Sequence, residues 1–366
     1  MSNNTKVVIA YASIWNRLEI KDIPHSQLTH INFSFLNIDS DGHLIFGDEG
    51  CDECCAKGYL NNLMLLKSQQ THLKIHLSIG GASWEKNFMP VSSNTVKRAT
   101  LVSELKTLLE EYGLNGVDLD WEFVQQDQGQ FFEVLAKDLR SSFGNKYELT
   151  TAVPSCPSLL QYYNLRTASQ YFNWINLMTY DASVGAGYST HHAPLYKHPD
   201  DPIEDCSGDT AVKYLNNLNI SNNKLVLGIP LYGYQYKVPK NDPRHGLFLK
   251  LECNSKCETS IASKDLPKDS KFIRYMDPIA KAPYLYNSEE GLFITFEDKA
   301  SAQFKIDYVN SNNLKGIMFW ELQFDYSGSN SVISTVYNQL NITKTNTEVQ
   351  LKYLTLPSNL HSLSMQ

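Results

Sequence analysis

The amino-acid sequence predicts an α/β protein, a (β/α)8 TIM barrel with a small α+β insertion between strands 7 and 8. Two observations predict the barrel: eight short apolar segments, and longer amphipathic segments that alternate with them. Such alternation is typical of a parallel sheet whose faces are covered by helices. One overlong connection late in the chain predicts the insertion. A doubly wound open sheet is the alternative fold.

The predicted strands are mostly apolar runs, long enough to be buried on both faces as central parallel strands are. In chain order they are Val7–Ala12, His30–Leu36, Leu73–Ile79, Gly116–Glu122, Tyr147–Val153, Trp174–Thr179, Leu225–Pro230 and Gly316–Trp320. The clearest helical pattern lies between strands 3 and 4. There, apolar residues recur at intervals of three and four from Val96 to Tyr112, and Gly113 ends the run.

The connection from Tyr232 to Lys315 is far longer than the roughly 30 residues that a crossover helix and its loops need. It carries several prolines and short aromatic runs, which predict a separate lobe. We therefore assign residues 1–233 to the first part of the barrel, with strands 1 to 7. Residues 234–292 form the α+β lobe, residues 293–341 close the barrel with strand 8, and residues 342–366 form a loosely packed tail.

The composition argues against some classes of partner and leaves the location of the protein open. Acidic residues outnumber basic ones, 39 to 32, which argues against nucleic acid as a partner. No apolar run approaches the roughly 20 residues of a membrane helix, so we expect no membrane partner. The first 15 residues show neither the basic nor the apolar region of a signal peptide. Non-classical export, a truncated start and a cytoplasmic location therefore all stay open.

The seven cysteines do not predict a disulfide framework, since the number is odd and the chain is long. The spacings Cys51-x2-Cys54 and Cys253-x3-Cys257 resemble pairs of zinc ligands. The two pairs lie far apart in turn-rich stretches of the sequence. We therefore favour local disulfides or free thiols over a shared structural zinc ion.

The fourth predicted strand is the most informative, because acidic and apolar residues alternate along it. Asp118, Asp120 and Glu122 share one face of the strand, since side chains at i, i+2 and i+4 do. In a barrel this face lines the interior. Like charges this close share protons, which raises at least one pKa. Glu122 lies at the carboxyl end of the strand, where barrel active sites are found, and is the predicted general acid.

Two other interpretations of this strand are open. A half-exposed edge strand could carry a solvated acidic face, although the alternating Leu119, Trp121 and Phe123 favour a buried strand. Three carboxylates could also hold magnesium or calcium. A site of that kind recruits further oxygen ligands, and the neighbouring sequence offers none that is obvious.

The segment from Asn115 to Glu122 resembles the DGxDxDxE signature of family 18 glycoside hydrolases, the chitinase family. Weaker similarity at Tyr11 and Phe33–Phe35 extends the resemblance to nearly the whole barrel. Four further segments match the family in order: Ser78–Gly81 (SxGG), Met178–Asp181 (MxYD), Gly228–Gly233 (GxPxYG) and Gly316–Glu321, which carries a buried tryptophan in that family.

The resemblance implies a role for each matching residue. Glu122 would protonate the glycosidic oxygen, and the acetamido carbonyl of the substrate would be the nucleophile. Asp120 would orient the acetamido N–H and stabilise an oxazolinium intermediate, with Asp118 as its deeper partner. Tyr180 would bind the acetamido oxygen. The remaining sugar contacts would come from Asp181, Trp320, Tyr232, Tyr11, Trp84, Met178 and Phe35.

The same resemblance implies a retaining chitinase that uses no cofactor and no metal and acts on chitin or chitooligosaccharides outside the cell. An endo-β-N-acetylglucosaminidase acting on N-glycans and a lectin that binds chitin oligosaccharides are the alternatives. Glu122 argues against the lectin, and the lobe suits linear chitin. We expect a monomer, with a place in a secreted assembly left open.

Two features need separate interpretation. Asn115 stands where the family signature begins with Asp, and we expect this position to support the strand rather than to react. His191 and His192 are interpreted as loop residues, because the chemistry implied above uses neither.

Overall fold

The computed structural model describes residues 6–47, 50–82, 85–252 and 257–340. Its main sheet is a closed parallel barrel, as predicted, because the first barrel strand pairs with both the second and the eighth. Closure excludes the doubly wound sheet. The barrel strands, numbered 1 to 8 below, are Val7–Ser13, His30–Ile38, Lys74–Gly80, Gly116–Asp120, Glu148–Pro154, Trp174–Met178, Leu225–Pro230 and Gly316–Trp320.

Helices cover the outside of the barrel. The α-helices are Glu53–Gln69, Phe88–Ser93, Thr95–Tyr112, Gly129–Phe143, Pro157–Leu160, Leu165–Ala168, Gly208–Asn217, Lys299–Ser311 and Val332–Gln339. Short 3-10 turns lie at Ile20–Asp22, His25–Gln27, Glu85–Asn87, Gln161–Tyr163, Ser169–Tyr171, Asn222–Lys224, Ser263–Asp265, Leu322–Phe324 and Gly328–Asn330. Leu44–Ile45 adds a short antiparallel strand beside barrel strand 2.

The helix Thr95–Tyr112 has the predicted ends but not quite the predicted face. Gly113 ends it in the left-handed conformation, with a φ of 65°. Val96, expected in the buried face, is 76% exposed. Arg98 takes the inward place instead, because its guanidinium bonds Asp138 at 2.6 Å and so can be buried without an unpaired charge.

The insertion between barrel strands 7 and 8 is a five-stranded antiparallel sheet, called the lobe below. Its strands are Tyr232–Lys237, Thr259–Ala262, Ile273–Asp277, Ala282–Asn287 and Leu292–Thr295. In its described residues the lobe contains a single 3-10 turn and no α-helix, which differs from the predicted α+β composition. Its aromatic residues suit β-strands, and the inner strand Ala282–Asn287 is buried along its whole length, with an apolar cluster on each face of the sheet.

Disulfides account for most of the cysteines. Cys51 is bonded to Cys55, and Cys156 to Cys206; Cys257 is disulfide-bonded as well. Cys54 is an exposed free thiol. A zinc ion shared between the two predicted pairs is therefore wrong, because Cys51 and Cys257 are already used in disulfides. Cys253 and the predicted tail from residue 342 lie outside the described residues.

A cluster of charged and aromatic side chains closes the amino-terminal end of the barrel. Oε2 of Glu148 lies 3.1 Å from Nε2 of His30 and 2.9 Å from Nε2 of His76, and its Oε1 accepts from Lys74. Burial lowers the pKa of His30 to about 4. Burial alone would raise the pKa of Glu148, but the hydrogen bonds from the two histidines outweigh it and lower that pKa.

No described helix has both the length and the apolar character that crossing a lipid bilayer requires.

The Glu148 cluster generates a prediction about stability. Glu148→Gln should lower the free energy of unfolding at pH 7 by about 1–3 kcal/mol, because buried donors lose a charged acceptor. The folded-state pKa of Glu148 is depressed, so its contribution is full above the ordinary value of 4.5 and is lost as the pH falls. Urea unfolding at pH 7 and at pH 4 should show the difference between wild type and variant shrinking.

Glu290→Gln is the matched control, since Glu290 and its partner Lys271 are both about half exposed, with 3.7 Å between their charged atoms. Its effect should stay below about 1 kcal/mol. Equal losses in the two variants would contradict a special role for the buried cluster.

Candidate active site

A cleft of about 530 Å³ opens at the carboxyl ends of the barrel strands. Asp118 lies beneath its floor, fully buried. Tyr232 is absent from the lining but reaches the cleft through Asp181, and Trp84 lies outside the described residues. The other predicted site residues line the cleft: Tyr11, Phe35, Asp120, Glu122, Met178, Tyr180, Asp181 and Trp320.

The Asp118 carboxylate accepts four hydrogen bonds from four different barrel strands. Its Oδ2 accepts from the hydroxyls of Tyr11, at 2.7 Å, and Ser78, at 3.0 Å. Its Oδ1 accepts from the hydroxyl of Thr150, at 2.5 Å, and from Nδ2 of Asn176, at 3.1 Å. Every donor is electrically neutral, so the negative charge of Asp118 is fixed in place without a cationic partner.

Asp120 sits directly above Asp118 on the same face of strand 4. Burial, the charges of Glu122 and Asp118, and a hydrogen bond with Glu122 together raise its pKa well above 3.8. Its other oxygen, Oδ1, is buried with no hydrogen-bond partner among the described residues. Asp120 therefore holds a proton under conditions where an ordinary aspartate has lost it.

Glu122 follows just beyond the last ladder pair of strand 4, which ends at Asp120 rather than at the predicted Glu122. Its side chain is partly buried and faces the cleft. The carboxyl group is thus in contact with Asp120 on one side and open to a ligand on the other, as a general acid must be.

An aromatic surface forms one wall of the cleft. The Trp320 ring stacks on Phe35, with centroids 5.5 Å apart and planes 16° apart, and Tyr11 packs against it at 5.6 Å. Gly81 makes room for this stack: a Cβ there would lie 2.5 Å from the Phe35 ring, and its φ is 84°. Planar apolar surfaces of this kind suit the faces of sugar rings.

Tyr180 reaches the cleft from the loop after strand 6. Burial raises its pKa well above 10, so its hydroxyl stays neutral and can donate or accept. Gly228 of strand 7 is the reason the ring fits, since a Cβ there would lie 2.9 Å from it. Met178 lies beside Tyr180 in the same wall.

Three residues from two places in the chain surround the carboxylate of Asp181. Its Oδ1 accepts from the hydroxyl of Tyr232 at 2.5 Å and from that of Tyr234 at 3.0 Å. Nδ1 of His192 lies 3.8 Å from the same oxygen. The backbone of Asp181 is left-handed, with a φ of 62°, which turns its side chain toward this group.

Several residues of the site were not predicted from the sequence. Thr150 and Asn176 follow the period-2 alternation of strands 5 and 6, which could have placed them in the barrel interior. Trp15 is 39% exposed at the rim of the cleft and carries no motif. His191 and His192 lie in a loop, as interpreted, but both are fully buried, each beside an aspartate, which the sequence did not predict.

Among the described residues, two groups of side chains lie close enough to hold a metal ion. One is the Glu148 cluster at the opposite end of the barrel, where Lys74 already neutralises the carboxylate. The other consists of Cys156, Cys206 and Glu204, whose two sulfur atoms are joined in a disulfide. Neither group includes the acidic residues of strand 4.

Asn115 supports the strand, as expected. Its Oδ1 accepts the backbone N–H of Ile75 at 3.0 Å, which ties the start of strand 4 to strand 3. We predict that Asn115→Asp leaves the free energy of unfolding within about 0.5 kcal/mol, because a carboxylate oxygen replaces the amide oxygen, whereas Asn115→Ala lowers it by about 1 kcal/mol. Chemical unfolding of the three proteins checks this, and equal stability of Asp and Ala variants would contradict it.

Comparisons with known proteins agree with the geometry. The family model for glycosyl hydrolases family 18 matches residues 7–325. Chitinase 1 of Aphanocladium album is 30% identical over 347 residues, which cover 87% of this chain and 81% of that protein. Endochitinase 1 of Metarhizium robertsii is also 30% identical, with coverage of 87% and 80%.

Solved structures give the same result. The chitinase ChiA74 from Bacillus thuringiensis superposes with a TM-score of 0.85 at 27% identity, over 92% of this chain and 70% of that one. A family 18 N-acetylglucosaminidase from Paenibacillus barengoltzii superposes with a TM-score of 0.79 at 27% identity, over 92% and 100%. The predicted resemblance is confirmed: the chain belongs to glycosyl hydrolases family 18 and is a glycoside hydrolase.

Proposed function

We propose that this glycoside hydrolase is a chitinase, which cleaves β-1,4-linked N-acetylglucosamine with retention of configuration through an oxazolinium intermediate. The observation that carries the proposal is the hydrogen-bonded pair of Asp120 and Glu122 at the floor of the cleft. The names of the relatives, chitinases and endochitinases, support chitin as the substrate.

The closeness of this pair argues for a nucleophile that comes from the substrate. Two carboxyl groups that flank a glycosidic bond stand about 5 Å apart in ordinary retaining enzymes and further apart in inverting ones. Asp120 and Glu122 bond to each other at the carboxyl end of one strand, so they are too close together to flank a bond from opposite sides. The carbonyl oxygen of the 2-acetamido group is well placed to attack the anomeric carbon instead.

In the first step, the Glu122 carboxyl donates its proton to the glycosidic oxygen as the bond to the anomeric carbon breaks. The acetamido carbonyl oxygen forms a bond to that carbon, which gives the cationic oxazolinium ring. The proton that Glu122 donates is the one that it shares with Asp120, so Asp120 is then a carboxylate, which accepts a hydrogen bond from the acetamido N–H and stabilises the positive charge. Tyr180 holds the acetamido group in the attacking geometry.

In the second step, the Glu122 carboxylate takes a proton from water, and the water oxygen attacks the anomeric carbon from the side that the leaving group vacated. The bond between the anomeric carbon and the oxygen of the oxazolinium ring breaks, and the acetamido group is restored. Two inversions at one carbon leave the product in the β configuration. Trp320 supports the apolar face of the reacting sugar throughout.

We further propose that the protein acts outside the cell as a monomer. The disulfides between Cys51 and Cys55 and between Cys156 and Cys206 support an oxidising environment. Cys156 lines the cleft, so the second of these bonds also fixes part of the cleft wall. Size-exclusion chromatography with light scattering would test the monomer.

One prediction of the proposed mechanism concerns the proton donor, Glu122. Glu122→Gln should lower the turnover of chitotetraose by about 10²- to 10⁴-fold, because the amide cannot protonate the leaving group. The wild type should release mainly the β-anomer, which early-time NMR or chiral-phase chromatography resolves. Glu110→Gln, an exposed position on the helix Thr95–Tyr112, is the control and should keep wild-type turnover.

Other outcomes would overturn parts of the proposal. Mainly α-anomer would exclude the acetamido-assisted route. Tight binding of chitotetraose without turnover by the wild type would favour the lectin, and neither binding nor turnover would favour N-glycans as the substrate.

Another prediction of the proposed mechanism concerns the proton that Asp120 and Glu122 share. Asp120→Asn should lower kcat/KM by about 10²-fold or more and move the alkaline limb of its pH profile to lower pH. Burial first, and then repulsion from Glu122 and Asp118, raise the pKa of Asp120, and the neutral amide removes the repulsion between position 120 and Glu122. A pH–rate profile of both proteins decides the matter, and an unmoved alkaline limb would contradict the coupling.

A further inference from the structure

The lobe influences the cleft without lining it. None of the described residues that line the cleft belongs to the lobe strands. The loop after strand 6, residues 181–192, lies between the two, and it supplies Asp181, Ala182 and Val184 to the cleft wall. The lobe can therefore act on a bound sugar through this loop, and also through Tyr180, whose ring packs on Tyr232 with centroids 6.3 Å apart.

Several contacts fasten the loop to the lobe. The short strand Tyr188–Ser189 pairs with Leu249–Lys250 of the insertion. Nε2 of the buried His191 lies 3.0 Å from Oδ2 of Asp277. The backbone N–H of His192 donates to the hydroxyl of Thr295 at 3.1 Å. The carboxyl-terminal end of the loop is thus fixed to the lobe, whereas the side chain of Asp181, at the start of the loop, is 45% exposed.

Two tyrosines from the first lobe strand reach this exposed carboxylate. Tyr232 and Tyr234 lie two residues apart, on the same face of the strand Tyr232–Lys237. Both hydroxyls donate to Oδ1 of Asp181. Within the described part of the chain, no hydrogen bond ends on Oδ2, and Asp181 is in the cleft lining.

We propose that Tyr234 is a positioning residue for substrate binding: with Tyr232 it clamps Oδ1 of Asp181, so that Oδ2 faces the cleft and accepts a hydrogen bond from a hydroxyl or N–H group of the bound sugar. The inference rests on the proposed function for the identity of that sugar. A single donor would leave the carboxylate free to rotate about its bonds, whereas two donors from a rigid strand fix its plane.

The same strand supplies a matched control. Tyr236 is the next residue on that face, and its hydroxyl donates to Oγ of Ser183 at 2.7 Å rather than to Asp181. Tyr236 packs in the lobe core and is fully buried. Removing its hydroxyl tests whether any loss of a tyrosine hydroxyl on this strand weakens sugar binding.

The experiment measures chitotetraose binding in a Glu122→Gln background, which prevents turnover, by the change in tryptophan fluorescence. Tyr234→Phe should raise Kd about 5- to 20-fold, because Asp181 loses one of two orienting hydrogen bonds, while Tyr236→Phe should stay within about 2-fold. In the active enzyme, Tyr234→Phe should raise KM by a similar factor and change kcat by less than about 2-fold.

A double substitution shows that Tyr234 acts through Asp181. Once Asp181→Ala has removed the carboxylate, adding Tyr234→Phe should change Kd by less than about 2-fold, since the two effects are then not additive. A merely structural role for Tyr234 would give independent, additive losses.

The outcomes separate the inference from the function on which it rests. If the parent protein binds chitotetraose and Tyr234→Phe binds it equally well, the inference fails and the chitinase proposal stands. Equal losses in Tyr234→Phe and Tyr236→Phe, or full additivity with Asp181→Ala, would also overturn it. If the parent protein does not bind chitotetraose while the wild type shows no turnover, the proposed function and the inference both fail.

Discussion

The active site depends on one buried carboxylate that strands from several parts of the barrel hold in place. Asp118 accepts hydrogen bonds from strands 1, 3, 5 and 6. This set of hydrogen bonds can form only when these strands have come together in the barrel. An unpaired charge at this depth would be costly, and the four neutral donors remove most of that cost. Asp120 lies directly above Asp118, and burial, followed by the charges of Glu122 and Asp118, raises the pKa of Asp120.

Two of the three carboxyl groups that line the cleft, Asp120 and Asp181, are held by different parts of the chain. Asp120 interacts with the buried Asp118 in the barrel interior. Asp181 accepts hydrogen bonds from two tyrosines that belong to the lobe, outside the barrel. The hydrogen-bond donors to Asp118, beneath Asp120, and those to Asp181 thus come from different parts of the fold.

The sequence predicted what depends on local periodicity and missed what depends on contacts between distant segments. Alternation along strand 4 was enough to place Asp118, Asp120 and Glu122 on one face. The donor Thr150 could not be assigned to Asp118, because the register between neighbouring strands is fixed by closure and not by either strand alone. The contact of His192 with Asp181 likewise requires the loop to fold back on itself.

The composition of the cleft lining has a consequence for which polymers can enter. Acidic residues are present in it, and no Lys or Arg is found among its described residues. Hydrogen bonds from neutral hydroxyls bind these carboxyl groups without supplying a positive charge. A polymer that carries carboxylate or sulfate groups would therefore find no cationic partner in the described lining, whereas an uncharged polymer needs none.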